Sequence, residues 1–365
     1  MLKRRLSAAV SALLVLALGP FCLAGPWYTA TPLETGGGGL GLSNAAHVTG
    51  GLAGGSAFLW EDGFVTEIGT LPGHSLSAGH AVNSSGQIAG WSGIWPSGEE
   101  YPREMRAIFW DDGVLTDVGT LEGDPGSWAH DINESGQVVG FSGAIDESYE
   151  NRPFLWEDGV ITELATLAGG FGQPLGINDD GEVTGWSLAA DALQHACIWS
   201  DGGITDLGLP SGALYSQGRG INNQGQVAGW AGNWLEGWSR RAMLWDGGAC
   251  TDLGTLGGAY SRGYSINEAG QIVGDSTTWG GEEHAFLRQN GVTCDLNNLV
   301  PAEFDWVLYR AQDINDSGEI LVKGTREGEV AAFLLTPVPV PAPGALVLGI
   351  FGIGVAGVFR WIRRL

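Results

Sequence analysis

Six histidines, His47, His74, His80, His130, His195 and His284, are the side chains of this 365-residue chain best suited to move protons or bind a transition metal near neutral pH. None lies in a His-Glu-x-x-His pair, and no Gly-x-Ser-x-Gly elbow or phosphate-binding glycine loop accompanies them. His80 and His130 share a register, three residues before an Asn in two matching segments; other copies place Gly41, Leu175, Arg219, Tyr264 and Gln312 there. A ring so mixed reads as a tolerated surface rather than a ligand set, so no catalytic or metal-binding residue is assigned. Carboxylates recur once per segment at Glu67, Asp117, Glu163, Asp206, Asp252 and Asp295, which predicts a structural hydrogen bond between neighbouring repeats. Asp131-Ile132-Asn133 and Asp313-Ile314-Asn315 match the opening of a calcium loop, but Ser142 and Gly324 stand where its closing Glu is required. No cofactor is expected, and the acidic surface offers only diffuse Ca²⁺ binding.

The remaining chemistry lies in aromatic residues outside the repeat. Trp95, Tyr101, Tyr149, Trp234, Trp238 and Trp279 occupy the longer connections, with Arg240 and Arg241 nearby. Aromatic rings beside acids and amides suit stacking on sugars, and loops on a rigid scaffold are where binding concentrates. Trp95, Tyr101, Trp234, Trp238, Arg240 and Trp279 are therefore the candidate ligand-binding residues. Packing of the loops on themselves is the competing reading.

These residues must be positioned by a repeat. Asn recurs in turns at Asn44, Asn83, Asn133, Asn178, Asn222, Asn267 and Asn315, spaced 39, 50, 45, 44, 45 and 48 positions apart. All but the first copy continue Asn-x-x-Gly, the pattern of a hairpin with a left-handed glycine. Short runs of β-branched and aromatic residues flank each turn, and Asp-Gly at 62–63, 112–113, 158–159 and 201–202 marks a second hairpin. Four strands per unit of about 45 residues match propeller blades. The N-terminal Tyr28–Leu33 lacks an upstream partner and Ala332–Leu335 lacks a downstream one, so their pairing would close the ring. The expectation is an all-β, seven-bladed β-propeller over 25–336, with a β-solenoid as the alternative. Repeat tryptophans at 60, 110, 156 and 199 are expected in the core.

Composition agrees. The 62 glycines are more than twice the ~7% usual in proteins, as repeated turns demand. Residues 26–336 hold 41 acids against 11 bases, which excludes nucleic-acid binding. Both ends lack acids and carry the other six bases. Residues 1–24 have a basic start, an apolar run and Cys22-Leu23-Ala24, the layout of a signal peptide. Residues 337–343 form a Pro-rich linker, and 344–365 an apolar span ending in Arg360, Arg363 and Arg364. Cys197, Cys250 and Cys294 remain after export, an odd number without a Cys-x-x-Cys pair.

Two resemblances follow from these residues. His284-Ala285-Phe286-Leu287, Ala57-Phe58-Leu59-Trp60, Thr251–Leu256 and the recurring Ile-Asn-x-x-Gly-Gln-Val resemble the bacterial extracellular HAF repeat, a family defined by its repeat and without assigned chemistry. The far end, with Pro341, Pro343, Arg360, Arg363 and Arg364, resembles a variant PEP-CTERM sorting signal. That resemblance implies a Gram-negative producer, exosortase-type sorting machinery as partner, and a C-terminal helix in the inner membrane before processing. A permanent single-span anchor is the alternative. The functional expectation is an exported, non-catalytic surface or extracellular protein that contacts extracellular polysaccharide or another matrix polymer. The alternative is a secreted polysaccharide hydrolase or lyase with an unrecognised carboxylate pair.

Overall fold

The computed structural model describes residues 27–33, 35, 38–96, 102–144, 151–168, 170–236 and 239–338. They are all-β, with 28 strands and two single-turn 3₁₀ segments. The strands form antiparallel four-stranded sheets in chain order, and one eight-stranded sheet is two such units joined by a single parallel bridge, Gln194 to Tyr215. Seven four-stranded units result, spanning 39–69, 76–119, 126–163, 172–208, 215–252, 257–295 and, for the seventh, 307–338 with Trp27–Leu33.

The seventh unit closes the ring. Strand Trp27–Leu33 pairs with Glu329–Val338, with Ala30 opposite Leu335 and Leu33 opposite Ala332. Leu321, Ala332 and Leu334 of this unit pack in one cluster with Leu42, Val48 and Phe58 of the first. A solenoid would leave its first and last units apart, whereas here they share a core. The fold is a β-propeller.

Local chemistry accounts for the turns. In six units the Asn-x-x-Gly glycine has φ between 70° and 80°, a conformation glycine enters without a Cβ penalty. Each Asn uses its side chain three ways, as Asn133 shows. Its Oδ1 accepts from Gln137 N at 3.0 Å, and its Nδ2 donates to Gln137 Oε1 at 2.7 Å and to Asn178 O of the next unit at 3.0 Å. The first unit differs from expectation by one residue. Ser43, not Asn44, fills the Asn position, because its Oγ accepts from His47 N and its carbonyl receives Asn315 Nδ2 at 3.1 Å. Ala46 then takes the glycine site at φ 62°. Asn44 instead ends an outer chain in which the N–H of the residue after the turn Asn, from Ser84 through Asp316, donates to the next unit's side chain, as in Glu134 to Asp179 and Asp316 to Asn44.

Cores lie between units. Phe58, Phe154 and Phe286 are fully buried, and Trp110, Trp156 and Trp199 are buried as expected, with Phe109 meeting Trp156 of the next unit at 4.9 Å between centroids. Full burial of such a side chain stabilises by about 1.5–3 kcal/mol. The recurrent acids act differently from expectation: five of the six pair within one unit, across the third and fourth strands. Arg106–Asp117, Arg152–Glu163, His195–Asp206, Arg241–Asp252 and His284–Asp295 all join partners 11 apart. At this level of the sheets serines bridge neighbouring units instead; Ser127 Oγ accepts from Ala107 N at 2.9 Å, and Ser216 Oγ from Ala196 N at 2.8 Å.

The membrane expectation is corrected. Among the described residues no helix is long and apolar enough to cross a membrane. Pro337 and Val338, assigned by sequence to the linker, are strand residues opposite Tyr28 and Trp27. Residues 344–365, on which the helix was expected, lie outside the described residues, as do 1–24. Membrane attachment through that helix and an exosortase-type partner are therefore withdrawn.

Candidate functional site

The first strand of every unit runs along the central axis toward the Asn turns. Each carries a register shift against its neighbour at the same place, between Gly39/Gly41, Gly79/Ala81, Ala129/Asp131, Pro174/Gly176, Gly218/Gly220, Gly263/Ser265 and Ala311/Asp313. The residue skipped by the ladder is Leu40, His80, His130, Leu175, Arg219, Tyr264 or Gln312 in turn. A β-bulge re-aims a side chain, and here seven of them aim at one axis. These residues line a cavity of about 340 Å³ on the side away from the Asn turns. The ring read from sequence as a tolerated surface is thus the wall of the central channel, with Leu40 in the place assigned to Gly41.

One residue further along, the channel narrows. Gly41, Ala81, Gly176, Gly220 and Ser265 are small because neighbouring backbones meet there. A Cβ on Gly41 would stand 2.5 Å from His80 O, and one on Gly176 2.6 Å from Arg219 O. Asp131 and Asp313 occupy the same level and border both this chamber and a smaller one of about 160 Å³ among the Asn turns. Both oxygens of each are committed to backbone. Asp131 accepts from Ile177 N at 2.8 Å and Ile132 N at 2.9 Å, and Asp313 from Leu42 N and Ile314 N at 2.9 Å each. Burial pushes Asp131 up to about 7 and Asp313 to about 6, against those hydrogen bonds.

The ring is chemically lopsided. His80 and His130 stand 5.7 Å apart between centroids, and burial holds His80 down at about 4 and His130 well below its usual range. Trp128 Nε1 donates to His80 Nδ1 at 3.1 Å, while His130 Nε2 is buried without a hydrogen-bond partner. Across the channel Arg219 lies 5.5 Å from the Trp230 centroid and 5.9 Å from that of Tyr264. Beyond it Arg262 and Arg310 share Asp275 and Glu283. Among the described residues no group of three His, Cys, Asp or Glu is placed to hold a metal.

The sequence-predicted loop residues lie on the channel's wide side, between the second and third strands of their units. Trp95 is 40% exposed, Trp234 38% and Trp279 91%. Trp234 stacks on Tyr215 at 5.8 Å and 13°, and the charge of Arg240 bears on the same tyrosine. Trp279 lies against Gly257, where a Cβ would meet its ring at 2.2 Å. Trp234 and Trp279 thus belong to adjacent units, and Trp95 to the second. Tyr101, Tyr149 and Trp238 lie outside the described residues, as do Pro341, Pro343, Arg360, Arg363 and Arg364. Cys197 is a buried free thiol and Cys250 an exposed one.

Sequence reading missed the channel site although a signal existed. At the bulge register a larger residue sits between small ones, as in Gly39-Leu40-Gly41, Gly79-His80-Ala81, Gly218-Arg219-Gly220 and Gly263-Tyr264-Ser265.

No protein family matches the chain, and no curated protein does. Solved structures similar to it include XC5397, a gluconolactonase from Xanthomonas campestris, at 14% identity over 88% of this chain and 94% of that one, with a TM-score of 0.44. YCF48 bound to D1 peptide matches at 10% identity over 86% and 98%, TM-score 0.49. TolB from Acinetobacter baumannii matches at 14% over 80% and 79%, TM-score 0.42. Similarity at these levels carries no activity across to this chain, whose function must come from its own site.

Proposed function

We propose that this propeller is an exported, non-catalytic binding protein whose loop face contacts extracellular polysaccharide or another matrix polymer. The observation that carries the reading is Trp279, 91% exposed on the loop face where Trp95 and Trp234 also stand. An indole held so far into water is favourable when its face receives a sugar ring. The carboxylates argue against the hydrolase or lyase alternative. Asp131 and Asp313, whose proton affinity burial raises, spend both oxygens on backbone N–H groups, and Asp275 and Glu283 are held in ion pairs with Arg262 and Arg310. Binding of the chain to a broad glycan array, compared with a Trp234→Ala/Trp279→Ala variant, tests the proposal. Retention lost at least tenfold in the variant supports it; retention equal in both, or polysaccharide turnover by the parent, refutes it.

A further inference from the structure

We propose that the wide chamber of the channel binds a small organic carboxylate, with Arg219 taking the carboxylate group and His80 donating a second hydrogen bond. This site is separate from the polymer surface and stands without it.

Arg219 is the first observation. Its guanidinium lies against Trp230 and Tyr264, and among the described residues it has no hydrogen bond and no ion pair. The other arginines around Tyr264 are treated otherwise: Arg262 and Arg310 both reach Asp275 and Glu283. The nearest acid on the ring, Asp131, is occupied by Ile132 and Ile177. A guanidinium held in a channel without a counterion is costly, and an entering anion removes that cost. Its planar fork suits a carboxylate through two parallel N–H bonds.

The opposite wall supplies an independent observation. Because Trp128 Nε1 donates to His80 Nδ1, the neutral His80 imidazole carries its proton on Nε2. Among the described residues that N–H has no protein acceptor, and its residue borders the chamber. A donor and a cation therefore face one space from two sides.

Size and lining select the rest of the ligand. About 340 Å³ exceeds what an inorganic oxyanion fills and lies at the lower end of small-molecule sites. Leu40, Leu175 and the Tyr264 ring offer apolar contact to a ring-sized body. A neutral sugar would leave Arg219 unpaired.

Calorimetric titration of the full chain with sodium glucuronate, methyl glucoside and sodium sulfate tests the site. Saturable binding of one glucuronate is expected, at least tenfold tighter than methyl glucoside or sulfate. Arg219→Gln should weaken it at least tenfold and Arg106→Gln, on the outer edge of its unit, should leave it unchanged. If Arg219→Gln does not fold, Arg219→Lys decides, with a loss of severalfold expected because the charge stays but the fork is gone. Undiminished binding by the Arg219 variant that folds, equal binding of methyl glucoside, or no saturable glucuronate binding overturns the proposal. Sulfate bound as tightly as glucuronate overturns the assignment of an organic carboxylate.

Discussion

Asn315 donates its Nδ2 to the carbonyl of Ser43 at 3.1 Å, across 272 positions of sequence, and with that bond the last Asn turn is latched to the first. The same bond joins Asn83 to Asn133, Asn133 to Asn178, Asn178 to Asn222, Asn222 to Asn267 and Asn267 to Asn315. Ser43 cannot continue it to Asn83, because a hydroxyl on one carbon is too short and is already engaged with Ala45 N and His47 N. The ring therefore has one unlatched junction, between its first and second units.

Removing a latch should weaken the whole ring. Asn178→Ala deletes bonds to Glu182 N, Glu182 Oε2 and Asn222 O, and leaves the part-buried Glu182 N–H without its acceptor. A loss of about 1–3 kcal/mol is expected. Urea unfolding of variant and parent measures it, and an unchanged midpoint would show that the latch is dispensable.

Completing the missing latch should do the reverse. Ser43→Asn restores the acceptor for His47 N and adds a donor aimed at Asn83 O, for a gain of about 0.5–1.5 kcal/mol. Ala46→Gly relieves the φ of 62° at the same turn and should add about 0.5–1 kcal/mol. Melting temperatures of the single and double variants test both; a lower melting temperature for Ser43→Asn would mean that the junction needs the shorter side chain.

Asp131 makes stability depend on pH in a defined direction. Burial raises it from 3.8 to about 7, so the folded chain holds this proton more tightly than the unfolded one. Its contribution is complete below about 4 and is lost as pH rises through 7. His80, lowered by burial to about 4, acts oppositely, its contribution present above 6.5 and lost on acidification. Asp131→Asn removes the first effect alone. The stability of the parent minus that of the variant should fall by about 1–3 kcal/mol between pH 5 and pH 8. A pH-independent difference in urea midpoints would contradict the assignment.

The repeat makes most of this architecture legible in the sequence alone. Asn-x-x-Gly and Asp-Gly are local devices whose backbone demands appear directly in sequence, and Tyr28–Leu33 with Ala332–Leu335 revealed closure because each lacked a neighbour. What stayed hidden depends on contacts between units. Whether Ser43 or Asn44 held the latch rests on which carbonyl Asn315 reaches. The acids at 117, 163, 206, 252 and 295 recur for partners 11 residues upstream, a spacing set by the ladder and not by the repeat length. His80, Arg219 and Tyr264 looked unrelated because their shared trait is a backbone bulge, which side-chain identity does not record.

The loop face is the surface that the functional account depends on. Hydrogen–deuterium exchange of the full chain, with and without the glycan it binds best on an array, tests it most directly. Protection confined to the connections at 94–96, 233–236 and 278–283 is the predicted result. Protection at the Asn turns instead, around Asn133 and Asn178, would contradict it.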